Sequence, residues 1–118
     1  MDISIRLSDL RRTIPGCHVA AFIDLSARMV LGHDARSKAP QERMDGLADR
    51  AVSLLDTPGI AQATPNYAMA VSEDNLEIFL RAMSESDDGL CLVCGLDTDP
   101  QTAAQAGLSM LRGIAHAG

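Results

Sequence analysis

The segment that most constrains the fold is 90–96, which is apolar on both of the faces that a strand would present. It reads Leu-Cys-Leu-Val-Cys-Gly-Leu, and such a run is typical of a strand at the centre of a sheet that is covered on both sides. Residues 17–25 share this property near their middle, with Val19 and Ile23 on one face and Phe22 on the other. We therefore predict two inner strands with helices packed against both faces of the sheet.

Apolar spacing and turn residues predict the remaining elements. Apolar residues recur at helical spacing from Ile3 to Ile14, and Pro15-Gly16 ends that helix. A polar turn over 24–28 connects 17–25 to a return strand that ends at His33. The later elements are a helix from Pro40 to Leu55, strands over 67–72 and 76–83, and a final helix after Asp97-Thr-Asp-Pro100. Segment 76–83 alternates like a strand, although its propensities also permit a helix.

This order predicts an α+β fold for residues 1–118 as a single domain. The elements follow as helix, strand, strand, helix, three strands and helix. The expected sheet has five mainly antiparallel strands with helices on both faces. Because only three residues are aromatic, we expect methionine to fill gaps in the core; the methionines within elements are Met29, Met44, Met69, Met83 and Met110.

Charge and composition narrow the class of partner. The chain has 10 basic and 16 acidic residues, a net charge of −6, whereas nucleic-acid binding requires a basic face. We therefore expect no nucleic-acid partner. No apolar run approaches the roughly 20 residues that span a bilayer, so we also expect no membrane insertion. The first residues lack a targeting pattern, and three cysteines make a poor disulfide framework; both observations favour a cytoplasmic protein.

Cys91-Leu-Val-Cys94 is the one motif that suggests redox or metal chemistry. Residues three apart on a strand point to opposite faces, so we do not expect these two thiols to form a joint site. If 90–96 pairs with 17–25, Cys17 and His18 come near one of them, but a zinc site needs about four converging ligands. We interpret the cysteines as buried core thiols and expect no metal and no cofactor.

Other catalytic patterns are missing from the sequence. No nucleophile, base and acid occur at a recognisable spacing, and neither a P-loop nor a dinucleotide-binding glycine motif occurs. We expect a protein that is not an enzyme and is not itself a GTPase.

Several segments together resemble the roadblock/LC7 family, which shares its fold with longin and profilin-like domains. Leu10 to Gly16 is similar to the family's opening helix with its apolar-Pro-Gly step, and Val19 to Asp24 is similar to its first strand. Residues 43–55 resemble the long central helix, 68–80 the next hairpin and 90–96 the last strand. The resemblance covers nearly the whole chain and depends on the pattern of elements rather than on a sharp motif.

The resemblance implies a dimeric interaction module that scaffolds or regulates a small Ras-like GTPase or a signalling complex. Family members pair through the central helix and the edge strand after it, which here correspond to 43–55 and 66–72. The interface residues implied are Met44, Gly46, Leu47, Ala51, Leu54, Tyr67, Met69 and Val71.

The residues themselves give partial support for this surface. Gly46 within a helix costs about 1 kcal/mol relative to alanine, and the close approach of a second backbone would explain it. The strand 67–71 is apolar and prone to aggregate if it stays unpaired. A simpler explanation remains open, in which Gly46 is merely tolerated and the loop 60–66 covers the strand.

Two other functions remain open. The chain could be a small-molecule sensor of PAS, GAF or profilin-like topology, although its few aromatic residues and short loops argue against a ligand pocket. A cavity lined by the Cys91/Cys94 strand would favour that function. A thiol or metal enzyme would require at least two of Cys17, Cys91, Cys94 and His18 to converge.

Overall fold

A computed structural model describes residues 3–36, 41–55, 66–83 and 86–117, excluding the side chains of 41–45 and 115–117. Its elements occur in the predicted order. They are α1 (Ile3–Thr13), β1 (Cys17–Asp24), β2 (Met29–Ala35), α2 (Gln41–Leu55), β3 (Tyr67–Val71), β4 (Leu76–Arg81), β5 (Asp88–Cys94) and α3 (Pro100–Ala117).

The five strands form one antiparallel sheet in the order β2-β1-β5-β4-β3. The predicted fold class is therefore confirmed, and β5 occupies the centre of the sheet. Segment 76–83, for which a helix was also open, contains the strand β4. The physical reason is alternation, because β4 places Leu76, Ile78 and Leu80 on one face and Phe79 on the other.

Helices α1 and α3 cover one face of the sheet, which we call the α1/α3 face. Leu7, Leu10 and Ile14 of the predicted helical stripe are buried there, and Ile3 is partly buried. Gly107 lets α3 approach closely, since a Cβ at this position would meet the side chains of Leu80 and Leu90. The helix thus lies directly on β4 and β5.

Helix α2 covers the other face, which we call the α2 face. Five of its residues are buried against the sheet, namely Leu47, Ala48, Ala51, Val52 and Leu55. They pack on Val19, Ala21 and Ile23 of β1 and on Phe79 of β4. This division confirms that β1 and β5 are covered on both sides.

The Pro15-Gly16 step turns the chain from α1 into β1. Gly16 has a φ of +82°, a left-handed conformation that glycine adopts without a steric penalty. Its carbonyl oxygen accepts a hydrogen bond from the Gly95 N–H at 2.9 Å. The end of α1 is therefore joined to the end of β5.

The return strand is longer than predicted. It continues to Ala35, where the sequence analysis predicted an irregular segment from residue 34. Two tertiary contacts extend it: Arg11 of α1 forms an ion pair with Asp34, and the Arg36 N–H donates to the His18 carbonyl at 2.7 Å. A register shift opposite Phe22 and Ile23 marks a β-bulge in the pairing.

The expectation that methionines fill the core is wrong for three of them. Met29, Met69 and Met83 have exposed side chains. Met29 and Met69 lie on the two edge strands and Met83 follows β4, and none of the three belongs to either core. Met110 is partly buried against the α1/α3 core, and the side chain of Met44 lies outside the description.

Candidate interaction surface

The edge strand β3 has backbone groups along its outer side that find no strand partner among the described residues. Asn66 and Ser72, which flank it, bond across to Arg81 and Asn75 of the β4 hairpin. Hydrogen-bonded positions alternate along an antiparallel strand. The N–H and C=O groups of Tyr67, Met69 and Val71 therefore point away from β4. No described strand lies beyond them, and residues 60–65 of the loop that could cover this edge lie outside the described residues. Among the described residues, the edge is therefore one that another strand could extend.

The same three residues carry exposed apolar side chains. Tyr67 is 39% exposed, Met69 43% and Val71 67%. They lie opposite residues of β4 that belong to the α1/α3 core, and therefore project on the α1/α3 side of the sheet. The Tyr67 hydroxyl lies 3.7 Å from Met69 Sδ. Tyr67, Met69 and Val71 thus form a continuous apolar row, which we call the β3 row.

The interface residues predicted on α2 separate into two groups. Leu47 is 0% exposed and Ala51 is 1% exposed, because both pack on this chain's own sheet. Within this chain their side chains are covered by the sheet, and the predicted intermolecular contact at these two positions stays a prediction. Gly46 and Leu54 are partly exposed. The backbone of Met44 lies in α2, and its side chain is among those outside the description.

Gly46 has an intramolecular neighbour that sequence reasoning missed. A Cβ at this position would lie 2.9 Å from Arg50 Nη1. Arg50 extends back along the helix over Gly46 and donates two hydrogen bonds to the Glu77 carboxylate, at 2.9 Å and 2.7 Å. This bidentate bond raises the pKa of Arg50 above its usual value. A small residue at position 46 makes room for the bridge between α2 and β4.

The cysteines lie on both sides of the sheet, as predicted from their spacing. Cys91 belongs to the α2 core and Cys94 to the α1/α3 core. Cys17 lies opposite Cys94 across the β1–β5 pairing, so the anticipated approach of Cys17 to one thiol of the motif occurs. Among the described residues, no group of three or more His, Cys, Asp or Glu side chains could hold a metal ion.

Two surface clefts bear on the ligand-sensor interpretation. One, of about 340 Å³, lies between the end of α1 and the start of α3 and is lined by Ile14, Pro15, Gly16, Asp97, Thr98, Asp99 and Thr102. The other, of about 480 Å³, lies between α1 and α3 and is lined by Arg6, Asp9, Leu10, Thr13, Ala106, Ser109 and Met110. The strand that carries Cys91 and Cys94 lines neither cleft. A cavity lined by that strand would have favoured a sensor.

Hydrogen bonds at the first cleft stabilise the start of α3. Asp99 accepts a bond from the Thr102 hydroxyl at 2.6 Å and one from the Gln101 N–H at 3.2 Å. The Thr102 hydroxyl and the helix N–H groups lower the pKa of Asp99. The Asp99 carboxylate therefore receives its hydrogen bonds from within the chain and caps the start of α3. It also adds an acidic group to the rim of the cleft.

The sheet order and the division of helices, one on one face and two on the other, define the roadblock/LC7 fold. Solved structures with this fold superpose on nearly the whole chain. A roadblock/LC7 domain from Streptomyces avermitilis is 15% identical with a TM-score of 0.82, and the match covers 99% of this chain and 98% of that one. The gliding protein MglB from Thermus thermophilus is 17% identical with a TM-score of 0.75, covering 98% and 90%.

A further similar structure is described as MglB with a tetrameric arrangement. It is 16% identical with a TM-score of 0.73, and the match covers 98% of this chain and 90% of that one. No protein-family model matches the sequence, and no curated protein matches it. At this level of identity the similarity establishes the fold of the chain.

Within the portion of the chain that the structure describes, no helix combines the length and apolar character required to cross a bilayer.

Proposed function

We propose that this chain is a non-catalytic interaction module that forms a homodimer through β3 and α2 and uses the dimer to scaffold or regulate a small Ras-like GTPase. The observation that carries the proposal is the β3 row on an edge with outward-pointing backbone groups. A second strand on this edge would satisfy those groups and remove the apolar row from water.

Symmetry restricts the register of such a pair, and we propose the register centred on Met69. In a two-fold dimer the same patch serves both subunits, and the outward-pointing groups are those of Tyr67, Met69 and Val71. An antiparallel pairing centred on Met69 places Met69 opposite its counterpart and Tyr67 opposite Val71. The two sheets would then become one ten-stranded sheet, and the two α2 helices would lie side by side on the α2 face.

The residues of α2 support a limited role for this helix in the contact. Gly46 and Leu54 are partly exposed, whereas Leu47 and Ala51 are occupied by the core. We therefore assign dimer contacts on α2 to its outer positions and not to its buried stripe.

Light scattering over a dilution series tests the dimer. We expect wild-type protein to have about twice the 12.5 kDa chain mass, and Met69→Lys to give monomers. Two like charges would face each other at the centre of the contact, which is unfavourable. Met29→Lys is the matched control, since Met29 is 55% exposed on the opposite edge strand and should leave the dimer intact.

A wild-type monomer at all concentrations would contradict the proposal, as would equal effects of the two lysine substitutions.

Gly46→Arg provides a second test on α2. A bulky side chain there must displace Arg50 and project towards a second subunit, so dissociation is expected for this variant too.

The role in GTPase regulation follows from the family resemblance and requires its own experiment. The rate of GTP hydrolysis by a purified small Ras-like GTPase from the same organism should change when the dimer is added. The Met69→Lys monomer should lose that effect. An unchanged rate of GTP hydrolysis, together with no binding in solution, would contradict the proposed role in GTPase regulation without contradicting the dimer.

A further inference from the structure

Cys17 and Cys94 form a cross-strand pair that the proposed function does not use. They are register partners at the junction where β1 begins and β5 ends. Both side chains are buried on the α1/α3 face, with exposures of 4% and 0%. Cys91, the third cysteine, is on the other side of the sheet.

The backbone hydrogen bonds show which kind of cross-strand pair this is. The Gly95 N–H donates to the Gly16 carbonyl at 2.9 Å, and the Cys17 N–H donates to the Ile14 carbonyl at 3.1 Å, next to a register shift between Cys17 and Val19. Hydrogen-bonded and non-hydrogen-bonded pairs alternate, so Cys17 and Cys94 form a non-hydrogen-bonded pair. Such pairs have Cα atoms about 4.5 Å apart, within the range of about 4.4–6.8 Å that disulfides span.

The two thiols affect each other's ionisation. The Cys17 thiol donates to the Val19 carbonyl over 3.4 Å, and the Thr98 hydroxyl donates to the Pro15 carbonyl over 3.0 Å. The Cys17 thiol, aided by Thr98, holds the pKa of Cys94 below its usual range against the opposing effect of burial. Cys94 and burial raise the pKa of Cys17, so Cys94 is the thiol that ionises more readily.

A cleft open to solvent lies beside this pair. The 340 Å³ cleft is lined by Gly16, which precedes Cys17, and by Thr98, which also acts on the pKa of Cys94. Thr98 is itself only 8% exposed. A small hydroperoxide needs less room to pass from the cleft to the thiols than a peptide-sized disulfide such as oxidised glutathione.

We infer that Cys17 and Cys94 form a reversible redox site in which a hydroperoxide converts the two thiols to an intramolecular disulfide. The Cys94 thiolate attacks a peroxide oxygen, the O–O bond breaks, and Cys94 becomes a sulfenic acid as the first water or alcohol leaves. Cys17 sulfur then attacks the Cys94 sulfur, the S–O bond breaks, and the second oxygen leaves as water with the proton that Cys17 releases. Two electrons pass from the thiols to the peroxide.

The disulfide would link the start of β1 to the end of β5, closing a loop that contains most of the chain. Long loops give the largest restriction of the unfolded state. Oxidation should therefore raise the midpoint of thermal unfolding by on the order of 10 °C, and dithiothreitol should reverse the change.

The test treats native, reduced protein with hydrogen peroxide, alkylates the remaining thiols and measures intact mass and linked peptides. We expect the unalkylated protein to lose about 2 Da, a peptide joining Cys17 to Cys94, and alkylation at Cys91 only. Oxidised glutathione should react much more slowly. Cys91→Ala should behave like wild type, whereas Cys17→Ala should show neither the mass loss nor the stabilisation.

Peptide mapping of the wild-type protein decides the outcome even if a cysteine variant fails to fold. Three alkylated cysteines after peroxide treatment would overturn the inference, and so would a linkage through Cys91 or between two chains. Thr98→Val should slow disulfide formation while Thr98→Ser preserves its rate. Equal rates for these two variants would overturn the role given to the Thr98 hydroxyl. None of these results depends on the dimer.

Discussion

At the scale of single residues, Arg81 shows how one buried charge connects two elements. It is 3% exposed, and its Nη2 donates to the Leu55 carbonyl, at the end of α2, over 2.9 Å. The last carbonyl groups of a helix lack partners within it and carry its negative end. Arg81 therefore satisfies the C-terminus of α2 from β4, which fixes the helix on its face of the sheet.

Replacing this arginine should weaken the fold. Arg81→Met keeps much of the apolar stem but leaves the helix carbonyl without its charged donor. We expect a loss of about 2–4 kcal/mol in the free energy of unfolding, measured by urea denaturation at constant protein concentration. Arg12→Met, at an exposed position of α1, is the control and should change stability by about 0.5 kcal/mol or less. Equal losses would show that Arg81 does not cap α2.

At the scale of elements, the separation between α3 and the sheet depends on one glycine. A Cβ at Gly107 would meet Leu80 and would lie 2.9 Å from Leu90 Cδ2. Both leucines are fully buried, so neither can move aside without disturbing its neighbours. At Gly113 in the same helix, a Cβ would lie 3.4 Å from the end of the Arg6 side chain, which can shift at little cost.

We therefore expect substitution by alanine to have opposite effects on protein stability at the two glycines. Gly113→Ala should stabilise the protein by up to about 1 kcal/mol, since alanine is the better helix former. Gly107→Ala gains the same propensity but overpacks the core, and we expect a net loss of about 1–2 kcal/mol. Thermal unfolding of the two variants measures the difference. A stabilised Gly107→Ala variant would mean that α3 lies farther from the sheet.

At the scale of the whole molecule, the two edges of the sheet differ in what they offer a partner. The β2 edge is contacted by α1 through the Arg11–Asp34 ion pair, and its pairing with β1 contains a bulge, a feature that interferes with regular edge-to-edge pairing. The β3 pairing with β4 is regular, without a register shift. Of the two edge strands in the described sheet, β3 alone combines a regular edge with a three-residue apolar row, which is why the proposed dimer uses it.

A crosslink can test the register of that dimer. Met69→Cys should form a disulfide between subunits under mild oxidation, because in the proposed dimer residue 69 would face its own counterpart across the two-fold axis in a hydrogen-bonded pair. Cα atoms in such pairs are about 5.5 Å apart, a distance suited to a disulfide. Non-reducing electrophoresis should show a covalent dimer.

Tyr67→Cys is the matched control for the crosslink. Residue 67 would face Val71 of the other subunit, so two introduced thiols at position 67 would lie too far apart to join. The combination of Tyr67→Cys and Val71→Cys should restore the covalent dimer. Efficient crosslinking of Tyr67→Cys alone would reject the register centred on Met69.

The sequence by itself determined the order of elements and the class of the fold. Strands apolar on both faces require cover on both sides, and the helical stripe that ends at Pro15-Gly16 supplies part of that cover, so local pattern and burial agree. The spacing of Cys91 and Cys94 similarly fixed their opposite faces, because side-chain direction in a strand alternates with every residue.

Only the tertiary structure decided which residues of each element meet. A helical stripe shows that Leu47 and Ala51 are apolar but not whether the chain's own sheet or a second chain covers them, and the sheet does. The Arg50–Glu77 bridge over Gly46, the capping of α2 by Arg81 and the Cys17–Cys94 pair join positions far apart in sequence. Such contacts depend on strand order and register, which are set by the packing of the whole chain and have no local signature.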